Sequence, residues 1–145
     1  MTGDWDFQAA GPGDHGTAPE GLVLEQEFDV GSLYALRAAV AAHAAKAGLG
    51  RQRVYDVTAA AHELAANTVM HGAGQGLVRL WTSGQFLLCQ VTEDRDAGVA
   101  VPWPEEHGHG LWLVGQVADQ LSIDHGPAGT TVTARFLLSP GGQVV

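Results

Sequence analysis

His62-Glu63-Leu64-Ala65-Ala66-Asn67-Thr68-Val69-Met70-His71-Gly72 closes a long alanine-rich run near the middle of the chain. Glu63, Asn67 and His71 fall four apart, so on a helix they form one short stripe. With Glu63 at 0°, Asn67 lies near ~40° and His71 near ~80°, whereas Val54, Val57, Ala61, Leu64 and Ala65 centre near ~150°. The polar trio therefore flanks the buried face, as residues at the edge of a cleft do. A carboxylate, a carboxamide and an imidazole are costly beside apolar packing unless something engages them.

Upstream, residues 22–28 alternate: Leu22, Leu24 and Phe28 on one side, Glu25 and Glu27 on the other. That pattern predicts a half-buried strand. Asp29-Val30-Gly31-Ser32 offers helix caps. Leu33, Leu36 and Val40 then predict a helix over 32–47, stopped by Gly48 and Gly50. The helix carrying the polar trio starts near Gln52. Downstream, Gly72, Gly74 and Gly76 end it. Residues 77–82 and 86–92 read as a β-hairpin through Ser83-Gly84-Gln85. Residues 93–107 form a long loop, acidic at both ends, with two prolines and Trp103. A third helix opens at Gly108-His109-Gly110, with Leu111, Val114, Ala118 and Leu121 as its core stripe. Residues 125–129 read as a turn and 130–138 as a last strand.

This order predicts an α/β (α+β) two-layer sandwich, with a mixed, mainly antiparallel sheet and helices on one face. The domain covers 21–138. Residues 1–20 read as an N-terminal tail with Trp5 and Phe7 as docking points, and 139–145 as a C-terminal tail.

The 145 residues suit one domain, and a single cysteine, Cys89, lies in an apolar run as a buried thiol. Seven Lys and Arg against sixteen Asp and Glu give a net charge of −9. That balance argues against direct nucleic-acid binding and permits a basic protein partner. No apolar run approaches the ~18 residues of a membrane span, and no signal peptide is apparent, so a cytoplasmic protein is expected.

The chemistry sits in four short signals. Asn67 offers a neutral oxygen to a hard cation such as Mg²⁺, and Glu63 is placed to orient or deprotonate a hydroxyl. Asp94-Arg95-Asp96-Ala97-Gly98 follows a strand; a carboxylate there accepts from an exocyclic amine, and a glycine lets a flat base approach. Gly108-His109-Gly110 before a helix presents free N–H groups and a helix dipole to phosphate. Gly129-Thr130-Thr131 opens the last strand. Taken singly, each also describes a polar helix face, an acidic turn or a hairpin. There is no P-loop, no Gly-x-Ser-x-Gly elbow, and no His or Cys spacing that specifies zinc.

In this order the four signals resemble the nucleotide site of the Bergerat-fold (GHKL) ATPases. His107-Gly108-His109-Gly110-Leu111-Trp112-Leu113-Val114 is most similar to the anti-sigma-factor serine/threonine kinase branch. The resemblance implies ATP and Mg²⁺ as cofactors, with Asn67 holding the Mg²⁺ that bridges the phosphates. It implies Glu63 as general base on a partner's serine or threonine. Asp94 would accept from the adenine amino group, with Glu93 as the alternative carboxylate and Gly98 lining the base. Gly108 and Gly110 would hinge the lid and meet the phosphates, with His109 between them and Leu111 following. Thr131 would support the adenine side, and His71 would close its helix near the lid. The implied partners are a sigma factor and a small anti-anti-sigma (STAS-like) protein, with a sigma-binding surface that overlaps a homodimer interface. Asp96 stands where such sites usually carry the first glycine of Asp-x-Gly-x-Gly, and His109 where many carry Arg. A nucleotide- and partner-binding module without phosphoryl transfer is the alternative reading.

Overall fold

The computed structural model describes residues 21–71, 73–93, 108–126 and 129–138. Strand β1, Leu22–Asp29, leads through a 3-10 turn, Val30–Ser32, into α1, Leu33–Lys46. The turn is capped reciprocally. Asp29 Oδ1 accepts from the Gly31 N–H at 3.0 Å, and the Asp29 N–H donates to Ser32 Oγ at 2.9 Å. These groups satisfy donors that a helix start leaves free. After α1 the chain reverses at Gly48, whose φ of 108° favours glycine. Helix α2, Arg51–His71, follows with twenty-one residues, ~30 Å of helix.

Strands β2, Gln75–Ser83, and β3, Phe86–Glu93, form the expected hairpin, turning at Gly84 with φ 60°. Helix α3 is Gly108–Val117, and strands β4, Gln120–Gly126, and β5, Gly129–Leu137, complete the chain. The sheet order is β1-β2-β3-β5-β4, and every pairing is antiparallel. The mixed, mainly antiparallel sheet expected from sequence is thus antiparallel throughout. The two-helix crossover brings β2 back beside β1 in the opposite direction.

Strand β4 corrects the sequence reading, which put Leu121 on the third helix. The helical ladder ends with Ala118 N–H donating to Val114 O at 2.9 Å. Asp119 N–H then donates to Arg135 O of β5 at 2.8 Å. Beyond it Leu121 faces Ala134 and Ile123 faces Val132 in register. Pairing with β5 satisfies every second backbone group of this segment and overrides a helical spacing that included Leu121 by coincidence.

The helices cover one face of the sheet. Val78, Leu80, Leu87, Cys89, Val91, Val132, Ala134 and Phe136 meet Leu36, Val40, Val57, Ala61 and Leu64 in one core. Each large aliphatic side chain buried there stabilises the fold by about 1.5–3 kcal/mol. Cys89 is free and fully buried, and burial pushes its thiol up to about 12. By strand alternation Arg79, Trp81, Gln90, Thr92 and Thr131 point to the opposite face. There the Arg79 Nε donates to Glu25 Oε2 at 2.9 Å. Among the described residues no helix is long and apolar enough to cross a membrane. The tails 1–20 and 139–145 lie outside the described residues.

Candidate functional site

Helix α2 decides where the site lies. Arg53 and His71 are eighteen residues apart, which at 100° per residue brings them to the same angle around the helix. Arg53 Nη1 donates to Val117 O, at the end of α3, at 2.8 Å. The His71 edge of the polar stripe therefore shares the side of α2 from which Arg53 reaches α3, with Asn67 about 40° and Glu63 about 80° further round.

Glu63 and Asn67 are both half-buried, while Leu64, Ala65 and Thr68 beside them are fully buried. No hydrogen bond within the described residues engages either polar side chain. A half-buried carboxamide and carboxylate left uncommitted suit a site that completes itself with a ligand. Thr68 secures the helix end: its Oγ1 donates to Leu64 O at 3.2 Å, and its own carbonyl accepts from the Gly74 N–H at 3.0 Å. His71 is the last residue of α2, and its side chain lies outside the description.

At the sheet end, Glu93 is the last residue of β3 and is 0% exposed. It follows Leu87, Cys89 and Val91 on the helix-facing side. Thr131 is buried beside Thr92 and points with it to the other face. One step further along the same register brings Thr130, also buried, level with Glu93 on the helix-facing side. Sequence reading passed over Thr130 because adjacent threonines are told apart only by strand register. Asp94, Gly98 and the rest of 94–107 lie outside the described residues.

Helix α3 begins at Gly108, so Gly108, His109, Gly110 and Leu111 form its first turn, whose N–H groups have no partner within the helix and suit an anion. Their side chains lie outside the description. Helix α2, which carries Glu63 and Asn67, packs on β3, the strand that ends at Glu93, and on β5 and α3. A cavity of about 700 Å³ opens along β1 and the start of β2, with Glu25, Glu27, Asp29, Ser32, Gln75 and Gly76, the residue paired with Glu93, in its lining. Its three carboxylates repel a polyphosphate, so it is not the candidate site.

Asn67 suits Mg²⁺ that keeps phosphate and water as its other ligands, since such an ion takes only one or two groups from the protein. Among the described residues no cluster of three or more His, Cys, Asp or Glu is placed to hold a metal alone.

Comparison with known proteins agrees with this fold. The chain is similar in fold to the crystal structure of the RsbU and RsbW domains of Rv1364c from Mycobacterium tuberculosis, with a TM-score of 0.61 and 21% identity. The match covers 79% of this chain and 32% of that one, so this chain corresponds to about a third of the longer protein. No curated protein matches the sequence. The family profile of the histidine kinase-like ATPase domain matches residues 27–136, from the end of β1 almost to the end of β5. With its antiparallel five-stranded sheet and one-sided helices, the chain belongs to the histidine kinase-like ATPase domain family.

Proposed function

We propose that the chain binds ATP with Mg²⁺ and works as an anti-sigma-factor-type regulator that phosphorylates a serine or threonine of a partner protein. The observation that carries this reading is the α2 flank: Glu63 and Asn67 are half-buried and, among the described residues, have no hydrogen-bond partner. Family membership and the RsbW-domain neighbour support it.

In this reading Asn67 gives its carboxamide oxygen to Mg²⁺. The ion, when bound, neutralises charge on the phosphates. The first turn of α3 directs its free N–H groups, from Gly108 to Gly110, at the same phosphates. Glu63, one turn before Asn67, accepts the proton of the attacking hydroxyl, and catalysis is mainly positioning. At the base end Glu93 takes the adenine amino group in preference to Asp94, because its side chain is on the helix-facing side and fully buried. Thr130 supports that end. The partners are a sigma factor and an anti-anti-sigma protein of STAS type, met in the cytoplasm, with a homodimer surface overlapping the sigma contact.

Asp96 and His109 favour a second reading. An added carboxylate near polyphosphate, and an imidazole with a reference pKa of about 6.5 where an arginine is usual, both weaken phosphoryl transfer. The chain would then bind nucleotide and partner without acting as a kinase.

Calorimetric titration with ATP, with and without Mg²⁺, tests the shared claim. Binding that strengthens with Mg²⁺, and loses that dependence in Asn67→Ala, is expected. No binding of ATP or ADP at millimolar concentration rejects both readings.

A further inference from the structure

Arg53 stands in the first turn of α2, far along the helix from the cleft, and its guanidinium joins three elements. Nη1 donates to Asp56 Oδ2 at 3.0 Å and to Val117 O, the last residue of α3, at 2.8 Å. Nη2 donates to Asp119 Oδ2, in the corner between α3 and β4. The same Asp119 oxygen accepts the Leu137 N–H of β5 at 2.7 Å. Gln52 Nε2 holds Asp56 from the other side at 3.1 Å. The guanidinium carbon also lies 5.2 Å from the centre of the Phe136 ring. A planar fork with fixed donor directions is suited to tying several acceptors at once, where an ammonium is not.

This knot fixes one end of α3. The helix packs on α2 with its last residue at Arg53. Its ten residues span ~15 Å, and the same length along α2 from Arg53 ends at Glu63. A helix of that length, anchored at Arg53 and lying along α2, would bring its first turn to the segment that carries Glu63 and Asn67.

We propose that Arg53, acting with Asp119, is a positioning residue for the phosphate side of the nucleotide site. By anchoring the C-terminal end of α3 it sets how close the first turn of that helix comes to Asn67. This inference rests on the nucleotide-binding reading above. It predicts a selective effect: phosphates that meet α3 sense the anchor, and the adenosine moiety at the sheet end does not.

Arg53→Met tests it, because methionine keeps an apolar stem over Phe136 and removes every donor. The full chain is titrated with a non-hydrolysable ATP analogue plus Mg²⁺, and separately with adenosine. The variant is expected to weaken the analogue about tenfold and to leave adenosine within about twofold. Arg53→Lys restores part of the loss. Asp119→Asn, a milder change that keeps an acceptor for the Leu137 N–H, moves the same ratio in the same direction, and decides the matter if Arg53→Met does not fold. A parallel loss of both affinities marks a merely structural role and overturns the proposal, as does unchanged analogue binding. If the wild-type chain binds neither ligand, the nucleotide reading fails and takes this inference with it. If the wild type binds both and the ratio does not move, only the inference fails.

Discussion

Glu93 lies directly opposite Gly76 in the β2–β3 ladder, and the glycine is required there by crowding. A Cβ at Gly76 would come within 2.5 Å of Thr92 O and 2.8 Å of Phe28 Cζ. The first of these is backbone in the middle of a sheet and has nowhere to go. Gly76→Ala is therefore expected to cost about 2–3 kcal/mol, seen as a lower urea midpoint at unchanged slope. An unchanged midpoint would show that the ladder has slack the distances deny.

The two candidate adenine carboxylates separate by substitution. Glu93→Gln keeps the size and hydrogen-bonding capacity of the fully buried side chain and removes the charge offered to the adenine amino group. The variant should fold and bind adenosine at least about tenfold more weakly, the worth of a hydrogen bond to a charged group. Asp94→Asn should stay within about twofold of wild type. The reverse pattern by calorimetry would return the role to Asp94.

Glu63→Gln keeps the shape of the side chain and removes its basicity. If the chain transfers phosphate, this variant should bind ATP normally and lose ~10²–10⁴ of its transfer rate to the partner. Full activity, followed with radiolabelled ATP, would exclude Glu63 as base.

Cys89 gives the fold a one-sided pH dependence. Burial raises its thiol from 9.0 to about 12, so the folded chain keeps a proton that the unfolded chain releases. Below the unfolded value the thiol is protonated in both states and its contribution is fully present. As pH climbs from 9.0 toward about 12, that contribution is lost, with a slope approaching ~1.4 kcal/mol per pH unit. Cys89→Ala should flatten this alkaline decline in urea midpoints. A thiol reagent should label the wild type only as fast as it unfolds.

Much of the fold was legible because its signals are local. The Asp29 and Ser32 cap, the Gly48 stop and the Gly84 hairpin each follow from a few adjacent residues. So does the α2 stripe, whose angular offset from the core agrees with the half-burial of Glu63 and Asn67. Strand β4 was not legible, since Leu121 fits a helical period and a strand period equally, and only β5 selects between them. Thr130 was hidden for a related reason: register decides which of two neighbouring threonines turns to the helices. Arg53 has no sequence signature at all. Its acceptors at Val117 and Asp119 are more than sixty positions away and one of them is a carbonyl, to which residue type contributes nothing.

The pairing of Leu22 with Trp81 sets an order of assembly. β2 with β3, and β4 with β5, join neighbours along the chain, and such local hairpins close on the microsecond scale. β1 must instead wait for both helices and β2 to exist before it has a partner, and its closure entropy is that of a loop enclosing α1 and α2. During synthesis the first strand of this sheet is thus held in reserve, and the nascent chain carries Leu22, Leu24 and Phe28 unpaired until the middle of the domain has emerged.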